Sequence, residues 1–208
     1  MTVRLLAFTD KGLALAQRLA GLLGGEAVRC GGAVTLAGWT ADAFASADAL
    51  VFVGAAGIAV RAIAPHLQSK ATDPAVVAVD EAGRFAIPLA SGHLGGANRL
   101  ARRIAAACGG TPVITTATDV NGRFAVDEWA RVQGFRLLDV GRIRAVSGKL
   151  LAGGTVTVAS RWPVAGAPPE GVALADGDGP ADVSLSLSGA DTGALRLVPP
   201  IAVLGVGC

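Results

Sequence analysis

One of the chain's two histidines lies among three glycines, in residues 91–98, which read Ser-Gly-His-Leu-Gly-Gly-Ala-Asn and lead into a helical pattern. Glycine lets backbone approach a ligand closely, and the N–H groups of a helix's first turn attract carboxylate or phosphate oxygens. A histidine titrates near neutral pH, so His93 can serve as a general acid or base, or orient a ligand oxygen. A structural alternative, in which His93 only bonds a neighbouring loop, is equally open.

Polar residues also flank other predicted strands. Lys70 precedes the apolar residues 75–79 and can neutralise an acidic ligand group, whereas Asp73 before Pro74 is typical of a turn. Glu81, next to Asp80, can act as a general base if partly buried, although such residues are also ordinary in turns. Residues 115–122 are dense in short donors and acceptors, and a helix cap explains only some of them.

Spacing argues against several familiar sites. Residues 54–57 lack the middle glycine of the dinucleotide fingerprint, and residues 148–149 lack the upstream glycine of a P-loop. Ser91 is flanked by Leu89 and His93 where a nucleophile elbow has glycines. Nicotinamide, nucleoside triphosphate and serine-hydrolase functions therefore lose their main support.

The first part of the chain alternates predicted strands and helices. Strands are expected at residues 3–8, 50–53, 75–79, 85–89 and 112–116, with helices at 11–23, after residues 54–57, and from Leu94 to Cys108. The segment 85–89 is expected to pair with 75–79 through a turn at 80–84. This pattern predicts the α/β class, with an open, mostly parallel, doubly wound sheet.

Ligands of such sheets bind beyond the carboxyl ends of the strands. We therefore expect residues 54–57, 80–81, 91–98 and 115–121 to converge on one rim.

The second part of the chain, from residue 119, has a different pattern of predicted elements. Helices are expected at residues 124–133 and 142–151, strands at 155–160, 182–187 and 194–198, and a long loop at 161–181. We predict an N-terminal α/β domain at 1–118 and a smaller α/β domain at 119–200. Residues 201–208 are expected to begin a strand of a further domain.

Composition excludes several classes. With 52% apolar and 16% charged residues among 208, the chain can bury a substantial core. The longest apolar stretch, residues 49–60, is shorter than the roughly 18 residues of a membrane span, and no secretory signal is evident. Three distant cysteines argue against disulfides and zinc and favour the cytoplasm. A net charge of +2 with few aromatics indicates no nucleic-acid partner.

Five segments, 52–61, 69–77, 80–85, 91–98 and 112–122, together resemble the cobalamin biosynthesis family of cobalt-precorrin 5A hydrolases (CbiG). Residues 50–150 carry most of the resemblance. It implies an enzyme that opens the ring-A acetate δ-lactone of cobalt-precorrin 5A and releases acetaldehyde, giving cobalt-precorrin 5B. The implied partner is this polycarboxylate tetrapyrrole. No cofactor or protein-bound metal is expected, because cobalt arrives within the substrate.

The chemistry needs a base that activates water and donors that stabilise an oxyanion. We expect His93 or Glu81 to be the base, and N–H groups of Gly95, Gly96 and the Ser91 loop to hold an oxyanion or carboxylate. The basic side chains expected to pair with the acidic arms are Arg61, Lys70 and Arg84. The complete predicted binding set is Gly54, Gly57, Arg61, Lys70, Arg84, Ser91, Gly92, Gly95, Gly96, Asn98, Thr115, Thr116, Asp119 and Asn121.

Two other functions compete with the enzyme. A non-catalytic carrier of corrinoid intermediates would keep the glycine loops and arginines but tolerate loss of His93 and Glu81. An unrelated doubly wound domain could bind another polycarboxylate, although the length of the motif match disfavours it. A homodimer, or contact with other corrin-pathway enzymes, is compatible with the enzyme. Members of the family normally continue into a third domain, whose opening strand residues 204–208 resemble.

Overall fold

A six-stranded sheet organises the first unit, Met1–Ile114, of the computed structural model. The structure describes residues 1–177, 179–187 and 193–201, so nearly all of the predicted third-domain segment 201–208 lies outside the described residues. The elements of the first unit are β1 (Val3–Ala7), α1 (Asp10–Leu23), β2 (Glu26–Arg29), α2 (Leu36–Ser46), β3 (Ala49–Val53), α3 (Ala56–Ile63), β4 (Ala75–Val79), β5 (Phe85–Ala90), α4 (Ala97–Cys108) and β6 (Thr111–Pro112).

The strand order is β2-β1-β3-β4-β5-β6. The first four strands are parallel, but β5 runs antiparallel to β4, with Val79 opposite Ala86 and Val76 opposite Ala90, and β6 is parallel to β5. We call the end of the sheet where β1, β3 and β4 finish the carboxyl edge, and the opposite end the amino edge. Because β5 is reversed, it ends at the amino edge.

Helices cover both faces of this sheet. One face packs against α1 and α4, and the other against α2 and α3. All residues of β3 and β4 are buried, as expected for central parallel strands. On the second face Trp39 of α2 meets Phe52 of β3 edge to face, with ring centroids 5.4 Å apart.

The second unit, Thr115–Cys208, carries a five-stranded sheet. Its elements are α5 (Ala117–Val120), α6 (Val126–Val132), β7 (Arg136–Leu137), α7 (Ile143–Leu151), β8 (Val156–Ser160), β9 (Val172–Asp176), β10 (Val183–Leu185) and β11 (Leu195–Val198). The order is β7-β11-β10-β8-β9, and among the described strands of this sheet only the pairing of β7 with β11 is antiparallel.

The predicted α/β class, with mostly parallel sheets and interleaved helices, is confirmed. Several elements differ from expectation. The sequence pattern missed β2, a half-buried edge strand, and α2; the predicted loop 161–181 contains β9. The fourth helix begins at Ala97 rather than Leu94, because Gly96 before it adopts a left-handed φ of 85°. Within the described part of the chain, no helix has the length and apolarity needed to cross a membrane.

Candidate functional site

The hairpin of β4 and β5 divides the predicted site residues between two edges of the first sheet. Residues 91–96 leave β5 at the amino edge, beside residues 67–74, which lead into β4. Residues 54–57 and 80–84 lie at the carboxyl edge. The five residues of β4 separate the two edges by about 13 Å. The expectation of one common rim is therefore wrong, because an antiparallel strand delivers its following loop to the opposite edge.

A closed turn connects β5 to α4. Three backbone N–H groups donate to carbonyls within this turn, Gly96 to His93, Ala97 to Ser91 and Asn98 to Gly92, at 3.0, 3.1 and 2.9 Å. The turn itself therefore satisfies amides that would otherwise be orphaned at the start of a helix. The N–H of Gly96 bonds the carbonyl of His93, which contradicts the expectation that it holds a substrate anion.

Packing explains two glycines of this turn. A Cβ on Gly95 would lie 2.5 Å from the Cβ of Ser91 and 3.2 Å from the backbone nitrogen of Ala75. A Cβ on Gly92 would lie 2.9 Å from Oδ1 of Asn98. Asn98 is only 1% exposed beneath the turn, and this position favours a structural role over the predicted hydrogen bond to substrate.

Ser91 is the strained residue of the turn. Among the described residues it is the only non-glycine residue with a positive φ, 55°. Its Oγ is buried and has no hydrogen-bond partner in the structure. The backbone conformation costs about 1–3 kcal/mol, and the unsatisfied hydroxyl costs about 1–3 kcal/mol more. Such costs concentrate at functional sites.

A cavity of about 310 Å³ opens beside Ser91 at the amino edge. Its lining residues are Leu67, Gln68, Ser69, Lys70, Asp73, Ala90 and Ser91. Lys70 is exposed and forms no ion pair with any residue that the structure describes. The carboxylate of Asp73 accepts the backbone N–H groups of Gln68 and Ser69, so it pins its own loop. The cavity thus combines an unpaired cation with a strained serine.

His66 belongs to the same edge. It lines a neighbouring cavity of about 310 Å³, which shares Gln68 and Asp73 with the first, and its ring lies 5.6 Å from that of Phe44. Both histidines of the chain therefore lie in segments at the amino edge.

Glu81 has a different environment at the carboxyl edge. Thr9, the N-cap of α1, accepts the N–H of Gly12 at 3.0 Å and donates its hydroxyl hydrogen to Oε1 of Glu81 at 2.5 Å. This contact ties the β4–β5 turn to the start of α1. The Asp80 carboxylate accepts the N–H groups of Ala82 and Phe85, which is ordinary turn chemistry.

At the carboxyl edge Glu81 and Ala82 line a cavity of about 440 Å³ beside α1, while the side chain of Phe8 packs against Gly54. A Cβ on Gly54 would lie 2.6 Å from a ring carbon of Phe8, so the glycine accommodates that side chain. Gly57 is exposed within α3, and Arg84 is exposed in the β4–β5 turn. Arg61 is exposed in the last turn of α3, which leads back towards the amino edge.

The remaining predicted residues belong to the second unit and are described within it. The hydroxyl of Thr116 donates to Oδ2 of Asp119 at 2.5 Å, and the Asn121 side chain donates to the carbonyl of Ala117 at 2.8 Å. Thr115 is exposed. Part of this polar segment therefore stabilises the short helix α5.

Two carboxylates of the second unit have shifted pKa values. The hydrogen bond from Arg196 lowers the pKa of Asp139, and the partial burial of this carboxylate opposes the shift. Burial raises the pKa of Asp182, but the ammonium of Lys149 and the N–H of Thr157 outweigh it and lower the pKa overall. No cluster of three or more histidine, cysteine, aspartate or glutamate residues suited to a metal occurs in the described ranges.

Comparisons with known proteins support the family that the sequence motifs resemble. Residues 38–119 match the family model described as Cobalamin synthesis G N-terminal. A cobalt-precorrin-5A hydrolase of Salmonella typhimurium is 45% identical over 148 residues, covering 67% of this chain and 42% of that protein. One from Priestia megaterium is 47% identical over 92 residues, covering 44% of this chain and 25% of that protein. The chain thus covers less than half the length of these relatives.

A solved structure shares the fold. The crystal structure of a cobalamin biosynthesis protein G homolog from Sulfolobus solfataricus superposes with a TM-score of 0.58 at 20% identity, covering 95% of this chain and 60% of that one. The family match and the two relatives place the chain in the cobalamin synthesis G (CbiG) family.

Proposed function

We propose that the chain is a hydrolase of cobalamin biosynthesis that acts on cobalt-precorrin 5A, opening its ring-A lactone and releasing acetaldehyde. The names of the two relatives support a hydrolase that acts on cobalt-precorrin 5A, and the segments at the amino edge lie within the family match at residues 38–119.

The observation that carries the proposal is the meeting of Ser91, His93 and Lys70 in adjoining loops at the amino edge. Ser91 and Lys70 line one cavity, where they supply a hydroxyl and a cation that no described carboxylate pairs with. His93 follows Ser91 by two residues in the same turn and supplies a group capable of acid–base chemistry. Such a set suits the hydrolysis of a lactone on a molecule that also carries carboxylates. Lactone hydrolysis needs a base to activate water and hydrogen-bond donors to stabilise the oxyanion.

The reaction divides into two steps. A base removes a proton from water, the water oxygen adds to the lactone carbonyl, and the ring C–O bond breaks, leaving a carboxylate and a secondary alcohol. Deprotonation of that alcohol then breaks its carbon–carbon bond to the macrocycle. The oxygen electron pair forms the aldehyde carbonyl, and the electrons of the broken bond pass into the conjugated ring system.

We assign the base to His93. Glu81 lies at the other edge and accepts a hydrogen bond from Thr9, so it supports the fold there. Lys70 neutralises a carboxylate arm, and Arg61 lies on the helix that leads to the same edge. The substrate carries its own cobalt, so we propose no further cofactor.

The test is anaerobic incubation of the protein with cobalt-precorrin 5A. Acetaldehyde is trapped as a hydrazone, and the corrinoid product is weighed by mass spectrometry. We expect stoichiometric acetaldehyde and a corrinoid whose mass reflects gain of water and loss of acetaldehyde. Binding of the corrinoid without acetaldehyde release would contradict the hydrolase and support the carrier.

A further inference from the structure

We propose that Ser91 and Lys70 form a carboxylate-binding subsite at the amino edge, and that the strain at Ser91 is retained because its hydroxyl bonds a ligand oxygen. The identity of the ligand, an acetate or propionate arm of a tetrapyrrole, rests on the proposed function. The subsite itself rests on the geometry of the cavity.

The first argument is the energetic cost of the conformation of Ser91. A serine at φ 55° is strained where glycine would not be. Its buried Oγ also lacks any hydrogen-bond partner in the structure. A bound acceptor oxygen would satisfy this hydroxyl and explain why a serine occupies a position better suited to glycine.

The second argument is the charge of the cavity. Lys70 supplies a cation that forms no ion pair with a described carboxylate. The Asp73 carboxylate also lines the cavity and keeps its charge, but both of its oxygens accept the N–H groups of Gln68 and Ser69. An ammonium and a hydroxyl donor beside one cavity match the charge and the acceptor oxygens of a carboxylate.

The hydroxyl can reach the cavity at small cost. Ser91 already lines it, and no hydrogen bond holds Oγ in its buried position. Rotation about χ1 towards the cavity therefore breaks no bond.

Two substitutions separate function from structure. Ser91→Gly removes both the positive-φ strain and the unsatisfied hydroxyl, so it should raise the midpoint of urea unfolding. Ser91→Ala removes only the hydroxyl. Both should weaken ligand binding, because the hydrogen bond to the carboxylate is lost. A serine with a purely structural role would leave binding unchanged.

The matched control is Thr40→Val. Thr40 in α2 is fully buried, and its Oγ1 is likewise without a hydrogen-bond partner in the structure, but it does not line the cavity. The nearly isosteric valine should raise the unfolding midpoint without changing affinity. Lys70→Gln tests the cation, and we expect weaker binding with reduced dependence on salt.

The probe is uroporphyrin, a tetrapyrrole with acetate and propionate arms, whose binding is measured by its fluorescence. We expect Ser91→Gly and Ser91→Ala to raise the Kd about tenfold to a hundredfold, with Thr40→Val equal to the wild type. If both Ser91 variants bind as the wild type does, if Ser91→Gly lowers the unfolding midpoint, or if the wild type does not bind the probe, the subsite is refuted.

The same variants assayed with cobalt-precorrin 5A distinguish the two proposals. Acetaldehyde release by the wild type, with an unchanged KM in Ser91→Gly, overturns the subsite and leaves the hydrolase intact. Porphyrin binding that depends on Ser91, without acetaldehyde release by the wild type, supports the subsite and overturns the hydrolase.

Discussion

At the scale of single residues, the two candidate bases are separated by the length of β4. We expect His93→Ala to lower kcat for acetaldehyde release about 10²-fold to 10⁴-fold, the usual effect of losing a general base. Glu81→Gln keeps an oxygen that can accept the Thr9 hydroxyl, so turnover should stay close to that of the wild type. Initial rates of acetaldehyde trapping compare the variants, and the reverse order would assign the base to Glu81.

The glycines of the two edges differ in what surrounds them. Gly95→Ala places a Cβ against Ser91 and the backbone of Ala75, so it should destabilise the protein by about 1–3 kcal/mol. Gly57→Ala has nothing within 4 Å in exposed helix, so it should stabilise by about 0.5–1 kcal/mol. Urea unfolding of both variants measures this contrast. Equal effects would show that the turn rearranges to accommodate the added Cβ at little cost in stability.

At the scale of elements, Thr9 joins α1 to the β4–β5 turn through one hydroxyl. Thr9→Ala should cost about 1–2 kcal/mol, because it removes a helix cap and the bond to Glu81. Thr35→Ala, at the N-cap of α2, removes a cap that only accepts from Gly38 and should cost less. Urea unfolding measures the stability of both alanine variants. Thr9→Ser keeps the hydroxyl and serves as the control. Equal losses in the two alanine variants would mean that the bond to Glu81 adds nothing.

The elements themselves show what the sequence can predict. Continuous apolar runs indicated β3 and β4, and apolar spacing indicated α1 and α4, because burial leaves a direct pattern. The short segment 80–84 also indicated a hairpin, since a parallel crossover needs a dozen or more residues. The reversal of β5 was therefore accessible, and it places His93 away from Glu81. By contrast, β2 is short and half-buried, and such a strand leaves little pattern.

At the scale of the whole molecule, the family and the motifs were readable from the sequence, but the strain and the charge at the amino-edge cavity were not. The positive φ of Ser91, its unsatisfied hydroxyl and the unpaired charge of Lys70 depend on packing between segments about twenty residues apart. No local pattern encodes those properties. The glycine-rich motif indicated where to look, whereas the structure shows that Gly92 and Gly95 shape the turn around Ser91.

The second unit contains an ion pair between Arg196 and Asp139, which makes the stability of the molecule depend on pH. Arg196 donates two hydrogen bonds to Asp139, at 2.6 and 3.0 Å, and both side chains are largely buried. The pKa of Asp139 is lowered in the folded state, so its contribution is present above its unfolded pKa and is lost as pH falls through the folded pKa.

Asp139→Asn should therefore destabilise the second unit by about 2 kcal/mol at pH 7, and the difference from the wild type should shrink below about pH 4. Asp176→Asn, at an exposed carboxylate of the same unit, provides the control and should change little. Urea unfolding across pH, with hydrogen exchange to localise the effect to residues after Thr115, measures both variants. A loss that stayed constant down to pH 2 would show that Asp139 acts through packing rather than through its charge.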